Sequence, residues 1–303
     1  MTSRYVFVVG SGRSGTSLLR RLLNADPEVA LAPETHFLDQ WLPRFWVPGQ
    51  DRATVEALWP AYKESRHFRS LELPEDVLER LGRLSAPRTL FKGMLDAYAE
   101  QRAAAVGGEK TPAHFRYIGR LLDWFDDARV VFILRDVRGV VASFRALDYR
   151  WAQGTDHKHV SLWRDSAEAA LHWKTDPRVE VVRYEDLVGD PVSVLSEMAP
   201  RLTGRDFDPA WLVEEVRSGP ANSWASTMRA PHASMLFHAA QPLMTELGYT
   251  APTTPPPLSE RVRYTTGRLV YLVRRVMRAA SQPIGPIRRI RYRRRGRDPL
   301  VGD

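Results

Sequence analysis

The chain has 303 residues, 44% of them hydrophobic and 10% aromatic, and is long enough to bury a substantial core. This composition excludes a peptide, a disulfide-stapled miniprotein and a disordered chain. The absence of cysteine excludes disulfides, a thiolate nucleophile and metal sites built on cysteine ligands.

The net charge of +8 is unevenly distributed along the chain. Residues 258–303 carry thirteen arginines and three carboxylates, a local balance of +10, which leaves about −2 for residues 1–257. The basic character therefore belongs to a tail, and it gives no reason to expect nucleic acid on the body of the protein.

Two features bear on the cellular location. No run of 18 apolar residues is present, so no single helix is expected to span a membrane. The N-terminal apolar run, residues 5–9, is too short for a signal peptide, and we expect a cytoplasmic protein.

The chain has only five lysines among its 44 basic residues, which is typical of a GC-rich bacterial genome.

The first predicted unit is a strand, a tight loop and a helix. Residues 4–9 are β-branched and aromatic, and residues 17–24 place leucines at helical spacing. The loop between them, residues 10–17 (GSGRSGTS), has glycines that let backbone N–H groups converge on a phosphate at a helix N-terminus. Its spacing is that of a phosphate-binding loop, but Thr16 stands where nucleoside-triphosphate enzymes have lysine, and Arg13 supplies the cation instead.

The next segment combines a short strand with a long insertion. Residues 29–32 are predicted to be a second strand, which places Glu34 at the carboxyl edge of the sheet, where ligands bind in open α/β folds. A mostly helical insertion is predicted for residues 37–105. Its many aromatic residues favour core packing, with an acceptor-binding wall as the alternative.

Further strand and helix signals follow. Strands are predicted at 128–134 and 179–182, and helices at 137–147, 191–203 and 209–217. Strands that alternate with helices predict an α/β fold, a parallel sheet of phosphate-binding-loop type flanked by helices.

The C-terminal part of the chain differs from the rest in amino-acid composition. We predict a catalytic body at 1–249, a proline-rich linker at 250–258 and a basic amphipathic tail at 259–303. Three interpretations of the tail stay open: contact of residues 259–297 with an anionic membrane surface at the inner face of the membrane, a solvated or protein-binding tail, and nucleic-acid binding. No aromatic-studded nucleic-acid module accompanies the basic run, so nucleic acid is not expected.

At this point the chain resembles the sulfotransferases that use 3′-phosphoadenosine 5′-phosphosulfate (PAPS). The loop at 10–17 is similar to the 5′-phosphosulfate loop of that family, and residues 134–143 are similar to its 3′-phosphate segment, with valine at position 137 where the family usually has proline. Arg135 at a strand end offers a forked donor, and Ser143 two turns into the next helix can face the same pocket. The alternative is an arginine that merely ends a buried strand.

Three other segments resemble family elements in the family's order. Residues 109–112 (EKTP) resemble the lysine-containing element near the sulfuryl group, and residues 183–187 (RYEDL) resemble the element whose tyrosine lies against the nucleotide. Residues 222–224 resemble, less specifically, a late serine-tryptophan element that closes over the nucleotide. The resemblance implies these donor contacts: Gly12, Arg13, Ser14, Gly15, Thr16, Ser17, Arg135, Ser143, Tyr184 and Ser223.

The candidate base lies in residues 33–39 (PETHFLD). This segment resembles the P-E-T element of tyrosylprotein sulfotransferases and the E-x-H-F-F-D element of heparan sulfate sulfotransferases, in which the glutamate takes the acceptor proton. The resemblance implies Glu34 as general base, with Arg13 and Lys110 as catalytic cations and His36 as an assisting group; a role for Asp39 stays open. Desolvation by the aromatic insertion is expected to make Glu34 a better base.

The expected function is sulfuryl transfer from PAPS, without a metal, to a hydroxyl of a carbohydrate, lipid or phenolic acceptor. The alternatives are a nucleoside or small-molecule kinase with the same type of loop and a non-catalytic nucleotide-binding membrane adaptor. The remaining histidines give weak signals: residues 156–159 (DHKH) are interpreted as a solvated segment, and His114, His172 and His232 as isolated, partly buried side chains.

Overall fold

The computed structural model describes residues 2, 4–147, 155–211 and 224–281. Its centre is a parallel sheet in the order β2-β1-β3-β4. The strands are β1 (Arg4–Gly10), β2 (Val106–Lys110), β3 (Ala128–Leu134) and β4 (Val179–Arg183). Helices flank the sheet, so the α/β fold predicted from the alternation of strands and helices is confirmed.

The α-helices are numbered in chain order. They are α1 (Thr16–Leu23), α2 (Leu42–Phe45), α3 (Asp51–Lys63), α4 (Arg66–Arg69), α5 (Glu75–Gly82), α6 (Pro87–Glu100), α7 (Ile118–Trp124), α8 (Val137–Arg145), α9 (Asp156–Trp173), α10 (Tyr184–Gly189), α11 (Pro191–Thr203), α12 (Trp224–Thr227), α13 (Ala230–Ala239), α14 (Leu243–Glu246) and α15 (Leu258–Ser281). A π-helical turn spans Phe37–Trp41, and 3-10 turns span Pro112–Tyr117 and Pro209–Trp211.

The two faces of β1 pack against different layers. Successive side chains of a strand point to opposite faces, so Phe7 enters the core of the helical insertion, while Val6 and Val8 pack with α1 and α11. All three side chains are fully buried. Because β1 is hydrogen-bonded on both edges, the loop that follows it is held at the centre of the sheet.

The insertion is mainly core. Phe37 stacks on Phe91 with ring centroids 4.8 Å apart, and Tyr62 and Phe68 are buried beside them. The predicted core packing of these aromatics is therefore confirmed, and it fixes the segment that carries Glu34 against the sheet.

Local differences from the sequence predictions have physical causes. Residues 106–110 (VGGEK) form a full strand, although two glycines weaken the pattern; Gly108 has φ 137° and a Cβ there would overlap the backbone of Val6. Residues 29–32, predicted as a strand, form only isolated parallel bridges to Val106 and Glu109. The segment 156–159, interpreted as solvated, is the first turn of α9. Of the predicted helix 209–217, only the 3-10 turn lies within the described residues.

Helix α15 lies against the body through one face. Glu260 is buried and contacts Arg229 (2.6 Å) and His232 (3.2 Å), and the Tyr264 hydroxyl lies 3.3 Å from His157 Nδ1. His232, interpreted as isolated, is thus a buried partner of this helix. Within the described residues, no helix is long and apolar enough to cross a membrane.

Candidate active site

A cleft of about 750 Å³ opens at the carboxyl ends of the strands. Such an edge is where ligands bind in open α/β sheets. The cleft brings together segments that are far apart in sequence: Gly10–Leu18 from the loop and α1, Glu34–Gln40, Pro112–Arg116, Arg135, Ser143–Phe144, Lys158–Leu162 and Tyr184.

The loop after β1 forms one end of the cleft. Gly15 has φ 99°, and a Cβ at this position would overlap the ring of Tyr184, so only glycine fits between the loop and that ring. The hydroxyls of Ser11 and Ser14 lie 2.6 Å apart and tie the loop to itself. No side chain among the described residues caps α1, and its first two residues, Thr16 and Ser17, line the cleft. The first N–H groups of a helix have no partner within the helix and can bind an anion there.

Two arginines connect the loop to the next structural unit. Arg13 Nε donates to Ser143 Oγ at 3.0 Å, and Arg135 Nη1 donates to the carbonyl oxygen of Arg13 at 3.2 Å. Arg13 has φ 70°, a left-handed conformation that is unfavourable for arginine, and the loop holds it there. The two segments predicted to hold the 5′- and 3′-ends of the nucleotide are thus in direct contact.

Arg135 is held firmly between β3 and α8. Trp163 Nε1 donates to the Arg135 carbonyl oxygen at 2.7 Å, and the guanidinium lies over the Tyr184 ring at 4.1 Å. Its Nε is buried without a hydrogen-bond partner among the described residues. A buried, unpaired guanidinium N–H next to a cleft is suited to an anionic ligand.

Glu34, Lys110 and His36 form the other end of the cleft. Lys110 Nζ contacts Glu34 Oε1 closely, and His36 Nε2 lies 3.0 Å from Glu34 Oε2. Lys110 ends β2 and is almost fully buried, whereas the Glu34 side chain is 40% exposed. Both oxygens of the candidate base are therefore paired with basic groups.

These contacts change the ionisation of the pair. Burial opposes the charge on Glu34, but the hydrogen bond from His36 and the charge of Lys110 outweigh it and lower the pKa of Glu34 to about 2. For His36, burial is outweighed by hydrogen bonds to Asp39 and Glu34, which raise its pKa to about 9. The expected gain in basicity from desolvation is present but is overcome by the paired charges.

His114 is a site residue that the sequence interpretation missed. It is fully buried, with Nε2 at 3.2 Å from Asp39 Oδ1 and Nδ1 at 2.5 Å from Glu109 Oε1. The interpretation of His114 as isolated and partly buried is wrong, because the turn Pro112–Tyr117 brings it under the π-helical turn that carries Asp39. A partner 75 residues away leaves no local sequence signal.

The other predicted site residues occupy different positions. Gly12 lies on the cleft wall, whereas Ser14 and Lys110 lie just beneath it. Arg66, Arg116 and Lys158 also line the cleft, and the sequence analysis did not single them out. Ser223 lies outside the described residues. Within the described part of the chain, no cluster of three or more histidine or carboxylate side chains is arranged to hold a metal ion.

The fold and the cleft define an α/β protein with a glycine loop after the first strand and two arginines, Arg13 and Arg135, at one end of the cleft. A model of the sulfotransferase family matches residues 5–209, and the chain belongs to that family. It is 27% identical over 255 residues to the omega-hydroxy-beta-dihydromenaquinone-9 sulfotransferase Stf3 of Mycobacterium bovis and Mycobacterium tuberculosis, an alignment that covers 67% of this chain. The chain spans 63% of the length of these relatives.

The fold is also that of solved sulfotransferases. The sulfotransferase domain from the curacin biosynthetic pathway aligns with 83% of this chain and 100% of its own length, with a TM-score of 0.55 and 18% identity. This similarity supports the fold alone.

Proposed function

We propose that this protein transfers a sulfuryl group from PAPS to the hydroxyl of an acceptor, with Glu34 as the general base. The observation that carries the proposal is the cleft itself, which has anion-binding groups at one end and a carboxylate between two basic groups at the other. The family of the chain supports the same reaction.

The donor end suits a nucleotide that carries two separate anionic groups. The loop N–H groups, Thr16 and Ser17 would hold the 5′-phosphosulfate, and Arg135 with Ser143 would hold the 3′-phosphate. Tyr184, already under the Arg135 guanidinium, offers its ring to the adenine. Ser223 remains a predicted contact.

Glu34 and Lys110 then have separate roles in the reaction. Glu34 takes the proton of the acceptor hydroxyl while the hydroxyl oxygen bonds to sulfur and the bond from sulfur to the bridging oxygen breaks. The electron pair stays on the leaving 5′-phosphate, where Lys110 and Arg13 stabilise the charge. In the described structure Lys110 is paired with Glu34, so its move to the donor would also free Glu34 Oε1 to act as base.

The identity of the donor can be tested before the natural acceptor is known. Calorimetry should give much tighter binding of adenosine 3′,5′-bisphosphate than of 5′-AMP, because only the former has the 3′-phosphate for Arg135. Mass spectrometry with PAPS and with ATP, each with a prenyl alcohol, a phenol and a monosaccharide, should give a sulfated product from PAPS only. Phosphorylation from ATP would instead establish the kinase, and binding without turnover across hydroxyl acceptors would favour the adaptor.

For the acceptor, we propose a lipid-linked hydroxyl at an anionic membrane surface. The name of the mycobacterial relatives places their reaction on a hydroxylated menaquinone. In α15, Glu260, Tyr264 and Gly267 face the body, whereas Val262, Leu269 and Val276, about half a turn away, are each more than half exposed. Arg261, Arg263 and Arg268 flank this apolar stripe, which is the pattern of a helix that lies in a membrane interface.

Vesicle sedimentation tests this part of the proposal. The full chain should sediment with phosphatidylglycerol vesicles and much less with neutral vesicles of equal size. The substitutions Val262→Asp, Leu269→Asp and Val276→Asp together should abolish sedimentation, while Val192→Asp, at an exposed position on α11, should leave it unchanged. Equal binding by both variants would contradict a membrane role for the stripe.

A further inference from the structure

A run of alternately basic and acidic side chains leads from the cleft into the core. Each member contacts the next at N···O distances of 3.2 Å or less. In order the members are Lys110, Glu34, His36, Asp39, His114 and Glu109. We call this set the charge chain.

The charge chain begins and ends on neighbouring residues of β2. Lys110 and Glu109 are adjacent, and their side chains leave opposite faces of the strand, Lys110 toward Glu34 and Glu109 toward His114. Both ends are therefore fixed by one strand of the sheet, and the groups between them have little freedom to rearrange.

Glu109 also holds the backbone between the two cleft residues. Thr35, which lies between Glu34 and His36, donates its hydroxyl to Glu109 Oε2 at 2.5 Å, and its N–H donates to Thr111 Oγ1 at 3.1 Å. His36 has φ 50°, a left-handed conformation that costs free energy for a non-glycine residue. The buried contacts around Thr35 hold this turn, and the turn directs the His36 ring at Glu34.

Burying the charges of Glu109 and His114 costs free energy. Glu109 and His114 are 1% and 0% exposed, and such groups persist only when oppositely charged partners are in place. Apolar residues of similar size stabilise a core at least as well. A paired charge network that includes the candidate base therefore calls for a role beyond packing.

We propose that Asp39, His114 and Glu109 are positioning residues for the Glu34–His36 pair. Through His36 they fix one oxygen of Glu34, so that only Oε1 is left to receive the acceptor proton when Lys110 turns to the donor. This inference rests on the proposed function for its catalytic meaning, but the orientation and charge of His36 can be measured without any reaction.

The direction of ionisation agrees with this geometry. Burial lowers the pKa of His114, but the charge of Glu109 and the hydrogen bond to Asp39 outweigh burial and raise this pKa from 6.5 to about 9. His36 faces Glu34 and Asp39 on its own turn and His67 on α4, whose ring centroid is 4.6 Å away. Burial and the charges of His36 and Arg66 lower the pKa of His67 to about 4, so His67 is neutral while His36 is charged.

The test is an NMR titration of His36 together with kinetics over a range of pH. The His36 signal is assigned by its loss in His36→Gln, and its midpoint is followed in wild type, Asp39→Asn and Glu109→Gln. We expect the midpoint to fall by more than one pH unit in Asp39→Asn and by less in Glu109→Gln, because Glu109 lies three contacts away from His36. The matched control is Asp26→Asn, which removes a buried carboxylate paired with Arg205 outside the cleft and should leave the midpoint unchanged.

Kinetics separate positioning from packing. Asp39→Asn should lower kcat by about 10- to 100-fold, part of the contribution of general-base catalysis, and change the donor KM less than threefold. Unchanged His36 midpoints and pH profiles in both variants, with only a lower Tm, would overturn the proposal. If wild type forms no sulfated product, the proposed function fails, while the His36 midpoints still decide whether the charge chain controls His36.

Discussion

The two ends of the cleft are built in different ways. Each part of the donor end is a local motif: a glycine loop, the start of α1 and a strand-to-helix turn present backbone N–H groups and arginines directly to the cleft. The acceptor end is assembled over long range, from β2, the turn at Pro112–Tyr117 and the turn at Phe37–Trp41, through paired buried charges. The donor end thus exposes its charges for a ligand, whereas the acceptor end neutralises its charges internally.

This difference explains the state of the candidate base. Unlike Arg135, whose buried Nε has no partner among the described residues, Glu34 is fully paired and has a pKa of about 2. A base in that condition accepts a proton poorly at neutral pH. In the proposed mechanism Glu34 becomes competent when the anionic donor draws Lys110 away from it. Donor binding is therefore expected to precede activation of the acceptor.

The largest expected effect separates the two ends. Glu34→Gln should lower kcat by about 10²- to 10⁴-fold, because the amide cannot take the acceptor proton. Donor affinity should be unchanged or tighter, since Lys110 no longer has a carboxylate to leave. The kcat is measured by turnover with PAPS, and the donor affinity is measured by calorimetry with adenosine 3′,5′-bisphosphate.

Glu180→Gln is the control for this substitution. Glu180 is also paired, with Arg201 at 2.7 Å, but it lies on β4 away from the cleft, and its loss should leave kcat unchanged. If Glu34→Gln kept full activity, Glu34 would not be the base, and the proposed difference between the two ends of the cleft would be wrong.

A second, smaller effect belongs to the donor end. Arg135→Ala should weaken binding of adenosine 3′,5′-bisphosphate by about 10- to 150-fold, the range for hydrogen bonds to a charged group, and should not affect 5′-AMP. Arg129→Ala, near the start of the same strand and paired with Asp127, is the matched control. An equal loss for both nucleotides would mean that Arg135 does not recognise the 3′-phosphate.

The features that could be predicted from the sequence are those that depend on local structure. Phosphate-loop geometry, the position of Arg135 at a strand end and the alternation of strands and helices are properties of short segments, and each is present in the fold. The charge chain was not predictable in the same way. Its strand β2 has two glycines in five residues, and His114 meets Asp39 only after the insertion of residues 37–105 has folded. Glu34 and Lys110 were singled out by resemblance, but nothing local indicated that they pair with each other.

A third prediction concerns the stability of the protein at alkaline pH, and it tests whether the charges of the acceptor end are paired inside the protein. The pKa values of His36 and His114 are raised from 6.5 to about 9 in the folded protein, so the stability that their protonation contributes is fully present below pH 6.5 and is lost as pH rises through 9. Thermal melts should show Tm falling between pH 6.5 and 9. The fall should be shallower in Asp39→Asn, because that variant lacks the one carboxylate that both histidines share. Identical slopes in the two proteins would contradict protonated histidines in the charge chain.

The smallest effect tests how tightly the donor end is organised before the ligand arrives. Ser143 accepts a hydrogen bond from Arg13 at 3.0 Å, and Ser143→Ala removes this neutral acceptor while leaving both arginines in place. A loss of about 2- to 10-fold in affinity for adenosine 3′,5′-bisphosphate is expected from one such bond, against no change for Ser196→Ala on the exposed surface of α11. Because Arg13 sits in an unfavourable left-handed conformation, a loss as large as that for Arg135→Ala would mean that Ser143 fixes the loop itself. The organisation of the donor end would then depend on the contact between its two segments, as the acceptor end depends on its paired charges, and the contrast between the two ends would be one of charge alone.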